Sequence, residues 1–103
     1  MFFVVFRNRK RPDIDARAYA ADAARMEALA RTQPGFVSFK SYVADDGEVV
    51  AISEWSSEAA VQAWGSHPDH AAIQGRGRDN YYQDYTLFAC NGPQVRHFER
   101  SED

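Results

Sequence analysis

Residues 54–85 read EWSSEAAVQAWGSHPDHAAIQGRGRDNYYQDY and join the end of one strand to the start of another through two short helices. One of the two serines after Trp55 can cap the first helix, and Gly65 ends it. Pro68 suits the first turn of the second helix, where the amide hydrogen that proline lacks would have no partner. The tyrosine-rich residues 81–90 then predict a last strand.

The N-terminal part of the chain predicts a strand followed by a helix. Residues 2–8 are mostly aromatic or β-branched, which is typical of a strand. Asp13 or Asp15 can cap a helix that runs to about Thr32, because apolar residues recur there at helical spacing. A Pro-Gly pair follows and stops the helix.

A β-hairpin completes the pattern. Residues 36–44 and 49–55 look extended, and Asp45-Asp46-Gly47 between them carries the Asp-Gly signal of a tight turn. The order is therefore β-α-β-β-α-β, which predicts an α+β, ferredoxin-like domain with an antiparallel sheet and helices on one face. We expect residues 1–103 to form a single domain, with residues 91–103 as a tail.

The predicted strands are apolar on both sides. Phe2, Val4 and Phe6 point one way along the first strand, and Phe3 and Val5 point the other way. Helices can cover only one face, and a large bare apolar patch is unusual on a monomer. A two-fold homodimer closes the second face most simply, because one self-complementary surface is buried against its own copy.

Composition and charge argue against several kinds of partner. The formal net charge of −3 gives no reason to expect nucleic acid, and we read the basic residues 7–11 as a solvated loop. The chain has no signal-peptide pattern and no apolar run near the roughly 20 residues needed to span a bilayer, so we expect a cytoplasmic protein without a membrane partner. We expect Cys90 to be a small buried apolar residue at the end of a strand.

The features of residues 54–85 resemble the second half of the antibiotic biosynthesis monooxygenase family. That family has a tryptophan-bearing helix, a histidine-containing helix, a basic Gly/Arg segment and an aromatic last strand. The matching residues here are Trp64, His67, His70, Gly75-Arg76-Gly77-Arg78, Tyr81, Tyr82 and Tyr85, and the family's Pro-Gly-Phe start of strand two is present at Pro34-Gly35-Phe36. The resemblance implies a dimeric α+β barrel with a pocket in each subunit between sheet and helices.

The resemblance also implies chemistry without a cofactor. Family members that oxidise aromatic polyketides use neither metal nor flavin, because an electron-rich phenol can itself pass an electron to oxygen once it is deprotonated. The protein need supply only a pocket, a proton acceptor or hydrogen-bond donor, and exclusion of bulk water. We therefore expect a monooxygenase that acts on a small electron-rich aromatic or quinol-type molecule, with no cofactor.

Candidate site residues follow from this chemistry. Asn8 can donate to a phenolate, Trp64 can form a wall, and His70 can accept a proton. The candidate substrate-binding residues are Phe6, Gln74, Arg78, Tyr82 and Tyr85. Simpler alternatives stay open, since Asn8 also suits a turn and Trp64 also suits packing against the sheet. His67 and His70 are too few for a zinc site, so no metal is expected.

Two other functions stay open at this point. A haem-degrading branch of the same superfamily carries an asparagine on strand one, a tryptophan on the second helix and an iron-ligating histidine about three turns later. Asn8 and Trp64 match, but Gln74 stands where that histidine is expected, and glutamine is a poor iron ligand. The other alternative is a non-catalytic dimeric ligand-binding or stress-related module, because a shared fold does not establish shared chemistry.

Overall fold

The computed structural model describes residues 1–101 and shows an α+β fold with a four-stranded antiparallel sheet. Its strands are β1 (Phe2–Lys10), β2 (Phe36–Val43), β3 (Val49–Trp55) and β4 (Tyr82–Asn91). Its helices are α1 (Ala16–Ala30), α2 (Glu58–Gly65) and α3 (Pro68–Arg76), and the π-helical turn Gly77–Tyr81 links α3 to β4. The sheet order β2-β3-β1-β4 is that of a ferredoxin-like fold, so the fold prediction is confirmed.

The helix starts follow the capping residues. Asp15 accepts a hydrogen bond from the backbone amide three residues on at 3.0 Å, and Ser57 does the same for α2 at 3.2 Å. His67 caps α3 through Nδ1, and Pro68 occupies the first helical position. These contacts satisfy amides that the helices themselves leave unpaired. They also identify Asp15 rather than Asp13, and Ser57 rather than Ser56, as the capping residues.

The first strand is longer than predicted, and Arg7, Arg9 and Lys10 lie in this strand and not in a loop, while Arg11 follows it. β1 continues through Lys10, so Asn8 lies inside the strand rather than in a turn. Arg7 pairs with Glu48 at 3.2 Å, and Arg9 pairs with Asp46 at 2.7 Å. These acids lie at the β2–β3 turn, so the paired charges keep the strand regular beyond its apolar part.

The apolar core lies between the sheet and the helices. Phe2, Ala30 and Trp55 are buried together, and Trp64 and Phe36 pack against them. The ring of Phe36 meets Trp55 edge-on at 5.5 Å between centroids. Even-numbered residues of β1 therefore face the helices, and odd-numbered residues face away from them.

The sheet face turned away from the helices is apolar as well. We call it the open face, and it is formed by Phe3, Val5, Ile52 and Phe88 with Tyr42 at its edge. Phe88 and Tyr42 are each 50% exposed. The alternation predicted for the first strand is thus present, while the homodimer that would cover this face stays a prediction.

The outer strand β4 corrects one expectation. Cys90 is exposed rather than buried. It lies next to Phe3 in the β1–β4 register, on an edge strand whose outer side has no neighbouring strand within residues 1–101.

Within the same residues, no helix has the length and apolar character that a membrane span requires.

Gly35 lies close against helix α2 just before the start of β2. Its φ is +84°, and an added Cβ would lie 2.5 Å from Ala60 Cβ and 2.7 Å from Ser56 Oγ. We expect Gly35→Ala to lower the free energy of unfolding by about 2–3 kcal/mol, because it combines left-handed backbone strain with a clash against α2.

A second glycine provides the matched control for this substitution. Gly47 also has a positive φ, +89°, but an added Cβ would meet nothing within 4 Å. Gly47→Ala should therefore show only the backbone strain, about 1 kcal/mol. Urea denaturation of both variants measures the difference, and equal losses would contradict the predicted clash.

Candidate functional site

The helix-facing side of β1 carries a row of chemically distinct side chains. The strand register places Leu87 opposite Phe6 and Tyr85 opposite Asn8 on the same face of the sheet. Leu87 is 51% exposed and Tyr85 is 42% exposed, so the helices leave this part of the sheet open. We call this surface the aromatic trough, and it comprises Phe6, Asn8, Lys10, Tyr19, Tyr82, Tyr85 and Leu87.

The rings of the trough pack mostly edge to face. Phe6 lies 5.4 Å from Tyr82 and 5.3 Å from Tyr85 between ring centroids. Tyr82 and Tyr85 are 5.9 Å apart, and Tyr19 reaches Tyr82 from α1 at 6.5 Å. Such ring edges and faces are suited to holding another aromatic ring.

Asn8 is the buried polar group of the trough, with 2% of its surface exposed. Its Oδ1 accepts a hydrogen bond from Lys10 Nζ, and its Nδ2 donates to the Val49 carbonyl at a long 3.5 Å. An asparagine amide has two N–H donors, and the contact of Nδ2 with the Val49 carbonyl is weak. The Asn8 amide nitrogen thus has no strong hydrogen-bond partner among residues 1–101.

Tyr82 is held in its neutral form. Burial raises the pKa of Tyr82 well above its ordinary value, and the nearby Tyr19 hydroxyl raises it further. The phenol of Tyr82 thus keeps its proton at neutral pH and cannot serve as a base there. Its hydroxyl is a hydrogen-bonding group of the trough wall.

A hydrogen bond ties the π-helical turn to α1 beside the trough. The Tyr81 hydroxyl donates to Asp22 Oδ2 at 2.6 Å, and this bond raises the pKa of Tyr81. Arg76 lies 3.6 Å from the same carboxylate. Gly77 packs against the Tyr82 ring, where an added Cβ would lie 2.6 Å from Cε2. These contacts fix the start of β4 and hence the Tyr82 ring.

Trp64 and His70 form a second group, the indole–imidazole stack. Their rings are stacked with centroids 4.3 Å apart and an angle of 12° between the ring planes. His70 Nδ1 lies 3.0 Å from the Trp64 carbonyl oxygen, which is a geometry for donation by Nδ1–H. Because Nδ1 carries the hydrogen, Nε2 is the nitrogen of His70 that can accept a proton. Trp64 also lies 6.2 Å from Trp55 in the core.

Burial lowers the pKa of His70 below its ordinary value of 6.5, and this outweighs the opposing effect of the Trp64 carbonyl. At a pH between the folded-state pKa of His70 and 6.5, His70 binds a proton in the unfolded chain but not in the folded chain. Stability therefore falls as the pH drops below about 6.5 towards the lower pKa of the folded state. We expect His70→Gln to flatten this dependence in melting temperatures measured from pH 7.5 to pH 5.

His97 offers a control for the replacement of a histidine at the protein surface. Its side chain is exposed in the segment after β4. His97→Gln should keep the wild-type dependence of melting temperature on pH over the same range. A His70→Gln variant with the wild-type slope would contradict the assigned burial effect.

The structure does not bring all the predicted catalytic residues together. It groups Asn8 with Phe6, Tyr82 and Tyr85, and it groups Trp64 with His70. Trp55, on which Trp64 packs, is opposite Phe2, and Asn8 lies six positions beyond Phe2 along β1. That separation corresponds to about 20 Å of strand. The two groups are thus anchored at opposite ends of the sheet.

The remaining predicted residues lie at the surface. Gln74 and Arg78 are exposed, on α3 and on the π-helical turn respectively. His67 acts as the cap of α3. The haem alternative requires an imidazole at the position of Gln74, and the stacked His70 precedes that position by one helical turn. Residues 1–101 contain no cluster of three or more His, Cys, Asp or Glu side chains able to hold a metal ion.

Lys10 and Tyr19 are trough residues that the sequence analysis missed. The alternation along β1 could have identified Lys10, because it is two positions beyond Asn8 and so points to the same face. Tyr19 lies on the apolar stripe that predicts the first helix, but its place beside Tyr82 depends on how α1 crosses the sheet.

Two shallow clefts lie outside the trough. One of about 330 Å³ is bordered by Gly35, α2 and Trp64. The other, of about 360 Å³, is bordered by Arg11, Asp15 and Tyr81 near the start of α1. Neither lining includes Asn8 or His70. The trough is therefore an open surface of the single chain, distinct from both clefts.

Comparison with known proteins identifies relatives over most of the chain. Residues 1–76 match the family model described as "Antibiotic biosynthesis monooxygenase". The "Uncharacterized protein YqjZ" of Bacillus subtilis (strain 168) is 32% identical over 83 residues, which are 81% of this chain and 73% of that protein.

Solved structures share the fold at low sequence identity. Rv0793 from Mycobacterium tuberculosis is 20% identical with a TM-score of 0.80, over 93% of this chain and 98% of that chain. SnoaB from Streptomyces nogalater, described as a cofactor-independent oxygenase, is 19% identical with a TM-score of 0.74. The SnoaB match covers 91% of this chain and 94% of that chain. These structural matches establish the architecture.

Proposed function

The chain belongs to the antibiotic biosynthesis monooxygenase family, and on this premise we propose that it is a cofactor-independent monooxygenase that oxidises a small electron-rich aromatic or quinol-type molecule with O₂. The observation that carries the proposal is the aromatic trough, in which a buried amide lies beside three aromatic rings on an open part of the sheet. SnoaB, a described cofactor-independent oxygenase, has the same fold.

The substrate ring would lie against Phe6 and Tyr85, with its ionised oxygen towards the Asn8 amide. A donor aimed at a phenolate stabilises the anion that must form before an electron can pass to oxygen. For an anthrone-type substrate, the reacting CH₂ group becomes a carbonyl with one oxygen atom of O₂. The other oxygen atom leaves as water with the two hydrogens of that CH₂ group.

Trp64 and His70 have a different place in this proposal. Because they are anchored at the other end of the sheet, they would contact only a substrate long enough to extend from the trough towards α3. His70 is then the proton acceptor through Nε2, and Trp64 is the wall. A one-ring substrate would release its proton to water at the open side of the trough, beside Leu87.

Oxygen uptake by the purified protein tests the function. A panel of hydroquinones and anthrones should include substrates whose oxidation exceeds their spontaneous rate, with no loss of activity after treatment with a metal chelator. Heat-denatured protein at the same concentration controls for autoxidation. No uptake above that control for any member of the panel would contradict the proposed function, and a sharp haem absorption band after addition of haemin would favour the haem-degrading alternative.

A further inference from the structure

Lys10 occupies an unusual position for a lysine in this structure. It is half-buried at the end of the trough, and its Nζ donates to Asn8 Oδ1. The same Nζ lies 4.5 Å from the ring centroid of Tyr19 and 5.6 Å from that of Tyr82. An amide oxygen and two aromatic faces thus surround the ammonium group, and all of these partners are uncharged.

Lys10 forms no ion pair with a carboxylate in the part of the chain that the structure describes. Every ion pair there has arginine or histidine as its cation, and none includes Lys10. Asp84 lies opposite Arg9 in the β1–β4 register, on the other face of the sheet. Asp22 is engaged by Tyr81 and Arg76.

A partly desolvated ammonium without a counter-ion attracts an anion into the space beside it. Its interaction with a negative charge at contact distance is stronger there than in bulk water, because the surroundings are less polarisable. Lysine has three N–H donors, and the Asn8 carbonyl takes one of them. The Asn8 amide nitrogen lies on the same side of β1, so an oxygen anion between them can receive donors from both residues.

We propose that Lys10 binds the ionised oxygen of the substrate directly and thereby restricts the substrates to phenols or enols that can become anions in the trough. This inference rests on the proposed function and adds to it a residue that binds the charged oxygen of the substrate. The positive charge favours the phenolate over the neutral phenol and repels aromatic amines that carry a positive charge. A phenolate held by Lys10 and Asn8 leaves its ring free to pack against Phe6 and Tyr85.

A coloured phenol that is not oxidised can test this role without turnover. We choose 4-nitrophenol, because its phenolate is yellow and its ionisation while bound can be followed by absorbance. An opposite charge within about 4–6 Å lowers the pKa of an acid by about 1–3. We therefore expect 4-nitrophenol bound to the wild-type protein to ionise at a pH about 1–3 below that of the free phenol.

Substitutions of Lys10 and Lys40 test whether the lowered pKa of the bound phenol comes from the positive charge of Lys10. Lys10→Gln keeps a donor for Asn8 Oδ1 and removes the charge, so the bound phenol should ionise near its solution value. Lys10→Arg should keep most of the wild-type lowering. Lys40→Gln is the matched control, because Lys40 also lies over a tyrosine ring, 5.5 Å from the Tyr42 centroid, but on β2. It should behave like the wild type.

Each outcome separates this inference from the proposed function. If wild type and Lys10→Gln titrate the bound phenol at the same pH, or if wild type does not bind 4-nitrophenol, the role of Lys10 is overturned even when oxygen uptake succeeds. A lowered pKa that depends on Lys10, without oxygen uptake, supports the anion site and contradicts only the oxygenase. Should Lys10→Gln fail to fold, Lys10→Met in the same titration takes its place.

Discussion

Turnover is expected to fall about 100- to 1000-fold in Asn8→Ala, which corresponds to about 2.7–4 kcal/mol in the activation barrier. Asn8 is the buried amide of the trough, and its Nδ2 makes only a long hydrogen bond to the Val49 carbonyl. Its loss removes a hydrogen bond that strengthens as negative charge develops on that oxygen. The measurement is kcat for the best substrate found by oxygen uptake.

Asn8→Asp separates the loss of the donor from the loss of volume. Aspartate has nearly the same shape and can still accept from Lys10, but it has no N–H and places a negative charge beside the substrate oxygen. We expect its kcat to fall at least as far as that of Asn8→Ala. Asn80→Ala, an exposed asparagine on the π-helical turn, should retain wild-type kcat. A fully active Asn8→Asp would show that Asn8 does not donate to the substrate.

The parts of the fold that were predictable are those set by neighbouring residues. A cap bonds to an amide two or three residues away, so Asp15, Ser57 and His67 act through contacts that are visible in the sequence itself. The Asp-Gly turn likewise joins the strands on either side of it. The choice between Asp13 and Asp15 needed coordinates, because both precede the helix at plausible spacing.

The composition of the site depends on contacts between distant residues. The basic end of β1 looked like a loop because the acids that pair with Arg7 and Arg9 come roughly forty residues later in the chain. The trough likewise depends on the β1–β4 register, which places Tyr85 opposite Asn8. A family resemblance can indicate that Asn8 and Trp64 matter, but it does not show that about 20 Å of strand separates their anchors.

The second large effect is expected on dimer formation, which we attribute to the open face. We expect the wild-type protein to be a dimer in light scattering at micromolar concentration, with about twice the 11.7 kDa mass of the chain. Phe88 lies on this face next to Val5 and is 50% exposed in the single chain. Phe88→Glu should leave the subunit folded, because its side chain can remain in water.

The same substitution should break the dimer, because a two-fold interface would bury two new carboxylates, one from each subunit. A cost of about 3 kcal/mol raises the dissociation constant roughly 100-fold. Leu87→Glu is the matched control, because Leu87 is the adjacent residue with 51% exposure but points to the helix side of β4. A wild-type monomer, or dissociation by Leu87→Glu and not by Phe88→Glu, would show that the open face is not the dimer interface. The two substitutions differ only in the face that receives the charge, so their comparison tests the side of the sheet on which the second subunit packs.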